Sequence, residues 1–124
     1  MSGKHVEQPP ADIAERTLDY GVRAVKLFRA LRGGAARIVG RQYLRSATSV
    51  AANVAEAQSG ETRADFVHKY AIALKEANES LYWLRLLAKS GLVPANRLTS
   101  LVDETEQITA IIASIIVRSK RKAG

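Results

Sequence analysis

The chain contains no cysteine. Disulfides and thiolate metal sites are therefore excluded, and a reducing compartment is compatible. Proline is scarce, with three residues, and the eight glycines sit mostly between periodic segments. There are only two histidines, His5 and His68. No run of about eighteen apolar residues exists, so no membrane span is expected. The first ten residues lack an apolar core, so a signal peptide is not expected either. No period-two segment of strand length occurs. These absences leave one all-α domain in 124 residues, long enough to bury roughly two thirds of its unfolded surface. The expected location is cytoplasmic.

What is present is positive charge, unevenly placed. The net charge is +7. Between Tyr20 and Ala55 the charged residues are Arg23, Lys26, Arg29, Arg32, Arg37, Arg41 and Arg45, with no acid among them. The C-terminus adds Arg118, Lys120, Arg121 and Lys122. Such a field favours polyanions through steering and phosphate neutralisation. The competing reading is a basic, solvated surface that serves solubility alone.

The periodicity predicts four helices. Residues 1–11 read as a flexible tail ending at Pro9-Pro10. Asp12 can cap a first helix with Ile13, Thr17, Tyr20, Ala24, Leu27 and Leu31 at heptad spacing, widened by Leu18, Val25 and Phe28. Gly33-Gly34 ends it. A second helix is expected from about Ala36 to Gln58. Gly40 inside it costs on the order of 1 kcal/mol against Ala, which close helix contact would explain. Thr62 with Asp65 resembles a capping box at the start of a third helix. That helix is apolar on more than one face, as is the fourth, which suggests a subunit interface. Gly91 supplies a left-handed stop, and Pro94 suits a helix start. The fourth helix carries Leu98, Leu101, Thr105, Ile108, Ile112 and Ile115. Short Gly-containing turns between four helices predict an up-down-up-down four-helix bundle over 12–119, with a basic tail at 120–124.

The second helix carries a distinctive run of small residues. Positions four apart share a helix face. Arg45, Ser49 and Asn53 then form one polar row, with Glu56 about a turn beyond. Tyr43, Ala47, Val50, Val54 and Ala57 form an apolar seam beside it. Upstream, Arg37 and Arg41 continue the row as a basic stripe. Glu76 and Glu79, three apart on the third helix, are the expected partners of Arg45 or Asn53 across the bundle. The row reads as a device that fixes register.

Catalytic and metal chemistries fit poorly. A di-iron bundle needs Glu-x-x-His from two helices, and Asp65-x-x-His68 occurs once. His68 reads as a surface residue, and no metal or other cofactor is expected. Glu76 or Glu79 could act as a general base only if burial raised its pKa, and neither a paired nucleophile nor a phosphate loop accompanies them. Tyr82 and Trp83 are adjacent, so they diverge by about 100° on a helix and read as core or interface residues rather than a stacking platform. The heptad of the fourth helix argues for core rather than a membrane-surface role.

The run Leu44-Arg-Ser-Ala-Thr-Ser-Val-Ala-Ala-Asn-Val-Ala-Glu-Ala57 resembles the signature of the four-helix-bundle proteins related to the 23S rRNA intervening-sequence proteins. The run from Asp65 to Leu87 is similar to that family's second block, and Gly91 with a fourth amphipathic helix follows in order. The resemblance spans roughly Ala14 to Val117. It implies a bundle that assembles into a homopentamer and, more distantly, likeness to the basic accessory proteins of diversity-generating retroelements. It brings no catalytic residues. Two functions remain open. One is a non-enzymatic homo-oligomer that contacts RNA or DNA without reading sequence, through Arg37, Arg41, Arg118, Lys120, Arg121 and Lys122. The other is an oligomeric adapter or structural protein for an unidentified protein partner, with no nucleic-acid role.

Overall fold

The computed structural model describes residues 13–123, which form four helices and no strand: α1 (Ile13–Ala30), α2 (Gly34–Gln58), α3 (Arg63–Lys89) and α4 (Ala95–Ala123). The tail expected at 1–11, the cap at Asp12 and the side chain of Lys122 lie outside the described residues.

Each turn has a local cause. Gly33 takes a φ of 90° and Gly91 a φ of 76°, left-handed values that cost a residue with a Cβ. Thr62 caps α3: its side chain accepts a hydrogen bond from the Asp65 backbone N–H at 3.0 Å, satisfying one of the unpaired donors of the first turn. Pro94 precedes α4, and its carbonyl accepts from the Arg97 N–H. The fourth helix does not stop near residue 119. It continues to Ala123, because no glycine or proline interrupts it and cations suit a helix C-terminus. Residues 120–123, expected as a tail, are thus its last turn.

Consecutive helices pack most closely, α2 on α3 above all, and of the pairs that touch, α1 and α4 do so least. The apolar seam of α2, Tyr43, Ala47, Val50, Val54 and Ala57, is buried throughout. It meets Tyr70, Ala73, Ala77, Leu84 and Leu87 of α3 in the same cluster as Leu98, Ile108, Ile112 and Ile115 of α4. Each buried leucine or isoleucine contributes roughly 1.5–3 kcal/mol. Gly40 lies under Leu31: a Cβ there would stand 2.1 Å from Leu31 Cδ1, so a larger residue would have to push the end of the Leu31 side chain aside.

Surplus apolar surface is distributed differently from expectation. Leu18 and Val25, expected to widen the core face of α1, are 54% and 42% exposed, and Val22 between them is 45% exposed. The main exposed aliphatic cluster therefore belongs to α1. On α3 and α4 the large exposed apolar residues are Tyr82 and Val117, because most of their second strips lie against the core.

Candidate functional site

The basic residues separate into two groups. Arg29, Arg32, Arg37 and Arg41 are exposed around the α1–α2 connection. The Arg37 guanidinium sits 4.5 Å from the centre of the Phe28 ring, a cation–π contact that orients it while leaving its donors free. Arg41 has no ion-pair partner among the described residues. The second group lies on the last turns of α4, where Lys120 and Arg121 are exposed and Arg118 is half-buried. Arg63, at the start of α3, donates to the Ser119 carbonyl at 3.3 Å. That bond ties the end of α4 to the α2–α3 connection. Arg37 and Gln58 stand about 30 Å apart along α2, at 1.5 Å per residue. The structure therefore does not bring Arg37 and Arg41 together with Arg118, Lys120 and Arg121.

The polar row joins only in part. The Arg45 guanidinium donates to Glu76 at 3.2 Å and to Glu79 at 2.5 Å. Glu79 also accepts from Trp83 Nε1 at 3.0 Å. These bonds, Trp83 first and Arg45 next, hold the Glu79 carboxyl below its ordinary range. The Arg45 side chain is 48% exposed, so the group is a surface clasp between α2 and α3 rather than a buried layer. Asn53 does not reach across: its Nδ2 donates to the Ser49 carbonyl of its own helix at 2.8 Å. Glu56 pairs with Lys69 at 2.6 Å.

Buried polarity is supplied instead by hydroxyls that the spacing alone did not single out. Ser46 and Ser80 share a hydrogen bond of 2.8 Å across α2 and α3, and both are fully buried. Tyr20 and Thr105 share one of 2.5 Å across α1 and α4, and the Thr105 hydroxyl donates to the Leu101 carbonyl. The Tyr20 and Tyr43 rings meet edge to face with centroids 6.3 Å apart. Tyr43 Oη is buried and makes no hydrogen bond of normal geometry among the described residues. Burial pushes the phenols of Tyr20 and Tyr43 above their ordinary range. The signal available in the sequence was the placement of Ser46, Ser80 and Thr105 at core positions. The outer seam of α1 and α4 is closed by Arg16, which donates to Glu104 at 2.7 Å and to Gln107 at 2.7 Å.

Two surface features remain. Between α1 and α2 runs a groove of about 560 Å³, with Leu18, Val22 and Val25 as one wall and Ala51, Ala52 and Ala55 opposite. Gly21 faces Ala51 there, and a Cβ added to it would meet that of Ala51 at 3.8 Å, an ordinary contact distance. On α3, Tyr82 is 58% exposed, and Trp83 packs against it with ring centroids 4.9 Å apart at 73°. Tyr82 is thus not a core residue, whereas Trp83 is half-buried against the core. His68 is exposed. No cluster of three metal-ligating side chains occurs among the described residues, and none of their helices is long and apolar enough to cross a membrane.

Comparison with known proteins places this geometry in context. Residues 11–114 match the family described as 23S rRNA-intervening sequence protein. Among solved structures, a protein with unknown function from the S23 ribosomal protein family of Bacteroides thetaiotaomicron is similar at 37% identity. The match covers 84% of this chain and 97% of that one, with a TM-score of 0.79. No curated protein matches.

Proposed function

The chain belongs to the 23S rRNA-intervening sequence protein family, and from that premise we propose that it is a non-enzymatic, self-associating up-down-up-down four-helix bundle that binds RNA or DNA without sequence preference. The observation that carries the nucleic-acid reading is the exposed Arg29, Arg32, Arg37 and Arg41 group, in a stretch with no acid from Tyr20 to Ala55. Phosphate contact through such a group positions a nucleic acid but does not read bases. The alternating direction of the helices is supported by contacts that pair rising numbers on one helix with falling numbers on the next, such as Ser46 with Ser80 and Gln58 with Tyr70. The non-enzymatic reading is supported by Glu79: its carboxyl is held low by Trp83 and Arg45, the opposite of the raised pKa a carboxylate general base needs at neutral pH. Self-association is supported by the exposed aliphatic groove, the feature that would equally serve the adapter reading.

Binding to a generic RNA and a generic duplex DNA, measured as a function of salt, tests this. The expected affinity falls steeply with salt, and R37Q/R41Q weakens it for every sequence alike. Because the two basic groups are far apart, R118Q/R121Q is expected to reduce the salt slope separately. Absence of binding at low salt would overturn the nucleic-acid reading and leave the adapter.

A further inference from the structure

We propose that the α1–α2 groove receives the outer face of α3 from a second copy of this chain, in a head-to-tail contact centred on Tyr82. The inference rests on the self-association proposed above and specifies its two faces. Large aliphatic side chains exposed side by side, here Leu18, Val22 and Val25, mark a contact surface rather than a solvated one. The floor opposite them is alanine, so a helix carrying one large side chain can approach closely. Tyr82 is such a side chain. It is the exposed aromatic residue of α3, steadied by Trp83, and an aromatic anchor is the usual centre of a protein contact.

Charge fixes the occupant and its direction. Glu15 and Asp19 are exposed on α1 beside the groove, and Arg85 and Lys89 are exposed beside Tyr82. None of the four has an ion-pair partner among the described residues. From Val22 the acids lie three and seven residues back, and from Tyr82 the cations lie three and seven residues forward. Three- and four-residue steps share a helix face. An antiparallel α3 with Tyr82 over Val22 therefore sets Arg85 against Asp19 and Lys89 against Glu15. The same alignment carries Lys75 toward Arg29, so the helices must cross and diverge at that end, as packed helices do. The two faces are different patches on one molecule, so the contact is heterologous. Repetition closes a ring or extends a filament.

The chain has no cysteine, which makes the test direct. V22C/Y82C is oxidised in dilute solution and run without reductant, beside V22C/R97C as a mismatched pair, while light scattering follows assembly of the unmodified chain. A second arm reverses charges: E15K/D19K is expected to weaken assembly at least tenfold, and adding R85E/K89E to the same chain is expected to restore it. The expected result is a ladder of linked chains for the first cysteine pair and little linkage for the second. Assembly without that ladder and without charge-swap rescue would overturn this pairing of faces while leaving self-association standing. A monomer at every concentration tried would overturn both.

Discussion

The inner and outer faces of α2 are built from the same kind of residue and have opposite fates. Inward, Ser46, Ala47, Val50 and Val54 are fully buried, and their small size lets α3 approach until Ser46 and Ser80 share a hydrogen bond. Outward, Ala52 and Ala55 are just as small, yet they stand exposed beside the aliphatic wall of α1. Packing within one chain accounts fully for the first face and not for the second. Small residues on a helix thus mark where close approach is possible, but their pattern does not say which faces the rest of the chain covers.

The sharpest way to break the comparison is to enlarge both faces. Ala47→Leu should cost about 1–3 kcal/mol by overpacking, seen as a lowered melting temperature. Ala52→Leu, measured on the dissociated chain, should stay within about 0.5 kcal/mol, as surface changes do. Equal losses would mean that the two faces are not different. Next in size is the buried hydroxyl layer. Tyr20→Phe removes the partner of Thr105 and should cost about 1 kcal/mol by denaturant titration. Tyr43→Phe should cost less than Tyr20→Phe, since its hydroxyl makes no hydrogen bond of normal geometry among the described residues.

Titration separates buried from exposed polarity in another way. The Tyr20 phenol is raised by burial, so its contribution is complete below the unfolded value near 10 and is lost as pH rises through the folded one. Glu79 and Glu104 are lowered, the first by Trp83 and Arg45, the second by Arg16. Their contribution is complete above the ordinary carboxylate range and is lost as pH falls through the folded values. The alkaline loss of stability is expected to be the steeper, because the carboxylates are partly solvated and screened. Tyr20→Phe should remove part of the alkaline loss in a pH series of melting curves, the rest belonging to Tyr43 and Tyr70, which burial also raises. The smallest expected effect belongs to Asn53→Leu. Because Asn53 bonds to its own helix, register should not change, and a melting curve shifted by more than a degree or two would contradict that.

Much of the fold could be read from the chain, and the reasons are local. Gly33, Gly91 and the Thr62 cap act within a turn, so the connections were visible. The seam from Tyr43 to Ala57 follows from helical spacing alone. Arg45 with Glu76 and Glu79 was also legible, because opposite charges on neighbouring faces have few other partners. Other features depend on three-dimensional closure. Asn53 could reach across or fold back, and spacing does not distinguish the two. The Ser46–Ser80 and Tyr20–Thr105 bonds join residues far apart in sequence. Leu18 and Val25 extend the apolar pattern of α1 without facing the core. The basic residues at the two ends of the chain look like one reservoir of charge until the Arg63–Ser119 bond shows which end of α2 the last turn of α4 adjoins.

The claim on which the account turns is that the outer face of α2, with its α1 wall, is covered by another copy. Mass by light scattering at micromolar concentration tests it most directly, with Ala52→Arg run beside the unmodified chain. The account predicts a multiple of 13.5 kDa for the unmodified chain and a shift to the monomer for the variant, with its melting temperature unchanged under dissociating dilution. A mass of 13.5 kDa for both, or an unaltered assembly in the variant, would contradict it.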